Sequence, residues 1–325
     1  MALFYCNQGI KGRGIEGSLP GYMRNSIVDK ITEAARKDKR IFVITGDAGF
    51  GVLDEYRKNF PKRFLNLGIA EQNTISFASG LALAGYKVFV YNIVPFVIYR
   101  CYEQVRNDIC YQKLPVVLIG IGSGVTYAPQ GVTHYSVEDI AIARTLPNLN
   151  IISPADPYEA QLAAEYALKS KEPVYIRIAK SGEPKIHEFK PKTISRPIVI
   201  KEGKGVAVLF HGSVGIEVIK AINGIRNTPK IISMPMLQPI DFSFLRSALK
   251  TVHTIITVEE HFVEGGLGSI ISDWIMANRL PFRLIKLGIK NEFIHAIKNN
   301  AGMRDKYGIS SEKIKSCILE VFKNA

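Results

Sequence analysis

The feature that most constrains this chain is a rhythm, in which short β-branched runs alternate with longer amphipathic ones along most of its length. Strand candidates are RIFVIT (40–45), RFLNL (63–67), YKVFVYN (86–92), PVVLIGI (115–121), LNIIS (149–153) and PVYIRIA (173–179). Helical patterns lie between most of them. NSIVDKITEAARK carries apolar residues at 27, 28, 31, 34 and 35, which is one face of a helix. SVEDIAIART opens with Ser136 and Asp139 at capping-box spacing, and Asp156 before Pro157 makes an N-cap and first-turn pair. Near-continuous apolar strands alternating with helices imply a parallel sheet covered on both faces, so the expected class is α/β.

Between about 181 and 204 the texture changes to SGEPKIHEFKPKTISRPIVIKEGK, with three prolines, many lysines and little periodicity. That composition suits an exposed linker. Alternation then resumes through GVAVLF, KIISM, TIITVE and FRLIKLG. It closes on SSEKIKSCILEVFK, where Ser310 or Ser311 caps a helix with Ile314, Ile318, Val321 and Phe322 on its buried side. The expected organisation is a first α/β domain over 1–185, a linker over 186–203 and a smaller second domain over 204–325.

With 325 residues and 47% hydrophobic content, the chain can bury two cores. Its start has too short an apolar run for a secretory signal, and no stretch approaches the roughly 20 residues that span a bilayer, so the cytoplasm is the expected compartment. The four cysteines are scattered, which favours reduced thiols. A net charge of +13 attracts anions. The basic residues are dispersed, however, and no recognition-helix, RNP or zinc-finger pattern accompanies them, which argues against nucleic acid as the partner. His187, His211, His253, His261 and His295 show no metal-ligand spacing, so no metal site is expected on this chain.

The segment NLGIAEQN sets Glu71 at the mouth of an apolar helix, ISFASGLALAG. A carboxylate entering apolar surroundings is costly unless something uses it. By residue type alone Glu71 reads as a first-turn acid favoured by the helix dipole. The flanking sequence reverses that reading, because RFLNLGIAEQNTISFASGLALAG resembles the Gly-Ile-Ala-Glu-Gln segment of the transketolase family, in which the glutamate touches the aminopyrimidine of thiamine diphosphate. PFVIYRCYEQVRND looks like the segment whose aromatic covers the pyrimidine. GVTHYSVEDIAIARTLPNLNIISPADPYEA is similar to the family's Gly-Pro-Thr-His stretch with its downstream Arg-x-x-Pro-Asn and Pro-x-Asp-x-x-Glu. VEEHFVEGGLGS and KYGISSEKI look like its carboxyl-terminal domain. VITGDAGFGV imitates the Gly-Asp-Gly…Asn signature for magnesium and diphosphate, but its third position is Ala48, and a Gly-rich turn after a strand is the plainer reading.

The resemblance implies a fold of two mainly parallel sheets, a pyrimidine-binding domain followed by the transketolase C-terminal domain. It also implies transfer of a two-carbon ketol unit between sugars or sugar derivatives. The implied cofactor contacts are Glu71, Phe96, Tyr99, Ile69 and Asp47. Glu71 would drive the pyrimidine tautomer, its pKa raised by burial. His134, after Thr133 in a Gly-rich loop, would lie over the reacting carbons as a second catalytic group. Tyr127, Gln130, Tyr135, Arg177 and Lys180 complete the implied substrate set, Arg177 or Lys180 as holder of an acceptor phosphate. The departures are Gln130 for a common Asp, Val132 for Pro, Tyr135 for a common Gln, and Gly122 near the place of a phosphate-binding histidine.

Family members carry a further amino-terminal domain for the diphosphate, and the forty or so residues before GDAGFG leave no room for it. The expectation is one subunit of a split enzyme, active only with a separate N-terminal subunit that brings the diphosphate and Mg²⁺ site. An α₂β₂ assembly is the simplest closed arrangement. Alternatives are the β-type subunit of a 2-oxoacid dehydrogenase decarboxylase, a 1-deoxyxylulose-5-phosphate synthase-like enzyme, or a regulatory subunit without catalysis.

Overall fold

The computed structural model describes residues 22–180 and 183–323. The start of the chain, Cys6 included, lies outside them. The elements of the first half are α1 (Met23–Lys37), β1 (Ile41–Thr45), α2 (Asp54–Asn59), β2 (Phe64–Asn66), α3 (Glu71–Leu83), β3 (Lys87–Ile93), α4 (Tyr102–Gln104), β4 (Val117–Ile121), α5 (Asp139–Ala143), β5 (Asn150–Ile152), α6 (Pro157–Lys169) and β6 (Val174–Ile178). The second half contains β7 (Ile198–Lys201), β8 (Gly205–Phe210), α7 (Gly215–Ala221), β9 (Lys230–Ser233), β10 (Met236–Gln238), α8 (Phe242–Ala248), β11 (Val252–Phe262), α9 (Leu267–Ala277), β12 (Arg283–Ile289), α10 (Asn300–Lys306) and α11 (Ser311–Lys323). All six strands expected in the first half form. No helix among the described residues is long and apolar enough to cross a membrane.

Two mainly parallel sheets result, ordered β10-β5-β6-β4-β3-β1-β2 and β12-β11-β8-β9-β7. β1, β3, β4 and β6 bury nearly every residue because helices cover both faces. Two strands cross the expected boundaries. β7 falls inside the segment read as a linker and pairs antiparallel with β9 at an edge of the second sheet. β10 comes from the second half yet closes the first sheet, antiparallel to β5, with Met236 opposite Ile152. The apolar core is likewise shared: one cluster runs from Phe42, Val88 and Leu118 to Leu209, Ile232 and Trp274.

At the seam sits a buried ion pair. Arg177 of β6 donates from Nε to Asp139 Oδ2 (2.7 Å) and from Nη2 to Oδ1 (3.1 Å), and Tyr175 adds a hydroxyl donor at 2.8 Å. Arg177 also reaches the carbonyl of Glu260 in β11, at 3.3 Å. Asp139 is therefore not half of a capping box: the N-cap of α5 is Glu138 without a side-chain bond, and Ser136 Oγ donates to the Gly122 carbonyl. A buried guanidinium needs a counter-charge more than a short helix needs a cap. Asp156, by contrast, caps α6 as expected, accepting from Glu159 N at 2.9 Å.

Burial alone would raise the Asp139 pKa, but the Arg177 charge, His261 and the hydrogen bonds from Arg177 and Tyr175 hold its carboxyl below the usual range. Because the folded value is depressed, the stability this group contributes is complete above the ordinary aspartate range and is lost as pH falls through the folded value. Asp139→Asn is expected to lower unfolding stability by about 3–5 kcal/mol near neutral pH, read by urea denaturation, since it leaves Arg177 buried without its partner.

Candidate active site

The functional side chains gather beyond the carboxyl ends of β1, β3, β4 and β6, where ligands of open α/β sheets bind. Glu71 is the first residue of α3, only 4% exposed, its carboxylate at the positive end of the helix. Its Oε1 accepts from Arg100 Nη1 at 2.8 Å. The Arg100 guanidinium in turn lies over the Phe96 ring, 4.3 Å from its centroid. Phe96 meets His134 edge-on at 5.4 Å, His134 meets Tyr127 at 6.1 Å, and Lys180 Nζ stands 5.0 Å from the Tyr127 centroid. Glu71, Phe96, His134, Tyr127 and Lys180, all anticipated, thus form one continuous ridge, and Arg100 joins two of them.

Arg100 is a residue that sequence reasoning misses. Residues 95–99 are wound as a π-helix, with Arg100 N donating to Pro95 O at 3.0 Å, so the side chain over Phe96 is the fourth along rather than the third. This also corrects Tyr99, which does not share the face of Phe96. It packs on the apolar core, where burial and the charges of Asp139 and Glu138 push its hydroxyl well above the ordinary range. The signal available in the sequence is the guanidinium itself, a planar cation four places after Phe96.

The loop carrying His134 is pinned on both sides. Gly124 and Ser136 exchange backbone bonds of 2.8 and 3.0 Å, and His134 N donates to the carbonyl of Gly131, whose φ of 83° suits glycine. Thr133 Oγ1 lies 2.8 Å from His134 Nδ1. Tyr135, expected to face substrate, is instead 3% exposed and buried among Val125, Val137, Ile289 and Met303, its hydroxyl accepting from Ile294 N at 3.1 Å. It pegs the loop to the second domain. Arg177 is corrected too: at 2% exposure, with Nε and Nη2 donating to Asp139 and to the Ser136 and Glu260 carbonyls, it is held in the seam rather than presented on the ridge.

Gln130 is exposed at the loop's tip, and Ile69, 82% exposed, stands two residues before Glu71. Asp47 is exposed with a left-handed φ of 53°, its amide donating to Asn66 Oδ1 at 2.9 Å. Its turn is close-packed, because a Cβ on Gly46 would lie 2.7 Å from Asn92 Nδ2. At Gly122 any Cβ would collide with the ring of Tyr127. Burial raises the Tyr127 hydroxyl pKa, and nearby Arg24 opposes that shift. Arg24, missed from sequence, has a buried Nε without a partner among the described residues. Among those residues no group of three His, Cys, Asp or Glu could hold a metal ion.

Comparison with known proteins gives consistent matches over both halves. Residues 22–184 match the family described as transketolase, pyrimidine binding domain, and residues 197–314 match transketolase, C-terminal domain. One subunit of the apulose-4-phosphate transketolase of Actinobacillus succinogenes is 32% identical over 92% of this chain and 98% of its own length, and its namesake in Phocaeicola vulgatus is also 32% identical, over 92% and 97%. The 1-deoxy-D-xylulose-5-phosphate synthase of Caldanaerobacter subterraneus is 31% identical over 90% of this chain but only 48% of its own. A solved structure described as a split gene transketolase, inactive beta4 tetramer, superposes with a TM-score of 0.81 at 28% identity, covering 93% of this chain and 98% of that one.

Two substitutions test the loop. Tyr135→Phe keeps the packing and removes one acceptor, so it is expected to cost about 1 kcal/mol and to speed amide exchange at Ile294 and across 131–134. Gly122→Ala should displace the Tyr127 ring, read as loss of its contacts to His134 and Lys180 in the variant's structure.

Proposed function

This chain belongs to the transketolase family, and on that premise we propose that it is the pyrimidine-binding subunit of a split, thiamine diphosphate-dependent transketolase that moves a two-carbon ketol unit between sugar phosphates. The observation that carries this reading is the Glu71–Arg100–Phe96 stack. There a planar, N–H-donating cation is bonded to a buried acid and laid on an aromatic face. An aminopyrimidine offers the same shape and the same donor chemistry, so the residues present fit the group. When bound, thiamine diphosphate supplies the carbon nucleophile that carries the transferred unit.

The roles of this chain's residues follow from their places. Glu71 holds a proton at the pyrimidine ring nitrogen and takes it back, shielded from water at the start of α3. Phe96 presents the stacking face, and the exposed Ile69 is the apolar group offered to the other side of the ring. His134 hydrogen-bonds a hydroxyl of the substrate, its ring oriented by the 2.8 Å contact of Nδ1 with Thr133 Oγ1. Lys180 and Tyr127, with Arg24 behind them, form the polar end that receives a phosphate. The diphosphate and Mg²⁺ belong to a separate N-terminal subunit, with two copies of each chain in the assembly and the cytoplasm as its compartment. The names of the two apulose-4-phosphate transketolase relatives make apulose 4-phosphate the first donor to assay.

The test is co-expression with a diphosphate-domain subunit. Glu71→Gln is expected to lower turnover by about 10²–10⁴-fold while the complex still forms on a sizing column. Near-normal turnover in that variant would refute the assignment.

A further inference from the structure

The end of the first sheet opposite the active site holds a second concave feature. It is a cavity of about 430 Å³ between the ends of α1, α3 and α6 and the start of β3. Its floor is apolar, including Ile41 and Leu168, and its rim carries Lys37, Asp38, Arg40, Tyr86 and Lys87. Lys87, the first residue of β3, is half-buried, and its Nζ donates to the carbonyl of Ser170 at 2.7 Å.

We propose that Lys87 is a site of covalent acylation by small acyl phosphates bound in this cavity. Its place in the cavity is what singles it out, a half-buried amine among apolar lining residues. Asp38 is the carboxylate on the rim, and it is committed to Arg40 through two side-chain bonds of 3.0 and 2.8 Å and one to the Arg40 amide of 2.9 Å. The other charged groups on the lining are Lys37, which also lies 3.8 Å from Glu33, and Arg40, and the remaining titratable group there is Tyr86. Burial lowers the Lys87 amine from its ordinary 10.5 to about 8, which leaves a substantial neutral, nucleophilic fraction in the neutral range. Lys37 and Arg40 are exposed cations that draw the phosphate of an acyl phosphate to the same rim.

The step balances without further reagents. The lone pair of neutral Nζ forms a bond to the acyl carbon, and the bond from that carbon to the phosphate oxygen breaks. Its electron pair leaves with inorganic phosphate, and the nitrogen gives up one proton to water. The product amide keeps one N–H for Ser170 but loses its charge, and the acyl tail lies on the apolar floor. The site is independent of the cofactor reading, since it uses no residue of the ridge.

The test treats the full chain with acetyl phosphate from pH 6.5 to 9 and follows each lysine by peptide mass spectrometry. At pH 7, Lys87 is expected to acetylate at least about ten-fold faster than the exposed Lys58 and Lys62, with the advantage shrinking toward alkaline pH. Lys37→Ala, which leaves the Asp38–Arg40 pair in place, should slow Lys87 with acetyl phosphate but not with an uncharged acetylating ester. Acetylation of Lys87 no faster than Lys58 and Lys62 would overturn the site. Equal slowing of both reagents in Lys37→Ala would overturn the acyl phosphate as donor.

Discussion

The structure depends on one buried charge pair. Arg177 rises from the middle of the first sheet, Asp139 opens the helix after the His134 loop, and Glu260 belongs to the second sheet. Taking two charges out of water is costly, and only the paired geometry with Tyr175 offsets that cost. The arrangement therefore tolerates little displacement of any of the three elements. Its effect is to fix where the chain leaves β4 and returns, and so where His134 can stand relative to Phe96.

The second domain enters the site indirectly. None of its described side chains joins the ridge from Glu71 to Lys180, yet Tyr135 is held by Ile294 and packed on Ile289 and Met303. His261 accepts from Ala141 N at 3.3 Å and Arg144 donates to Gly265 O at 2.8 Å, further ties between α5 and the turn after β11. A loop that must hold a histidine in one place needs rigid backing, and here a separate sheet supplies it.

What the sequence makes legible divides along physical lines. The six strands of the first half and the Asp156 cap are readable because period and capping chemistry are local. Glu71 is readable because a lone acid before an apolar helix is costly and its neighbours carry the motif. Arg100 and Tyr99 are not, because 95–99 departs from the α-helical period on which facing residues are assigned. Asp139 looks like half of a cap because the nearby positions fit the spacing, while its real partner lies 38 residues away. Tyr135 and Arg177 look available for ligand because nothing local reveals the second sheet packed against them.

The small strand β10 bears on how such a polypeptide can be divided. It leaves the second sheet, crosses to the first and completes that sheet's rim beside β5, where Ser153 N also meets the Pro235 carbonyl at 2.8 Å. A cut anywhere in the proline-rich connector would strip the first half of a border it does not encode. The two halves therefore share a sheet edge and are not separable at that connector without exposing β5.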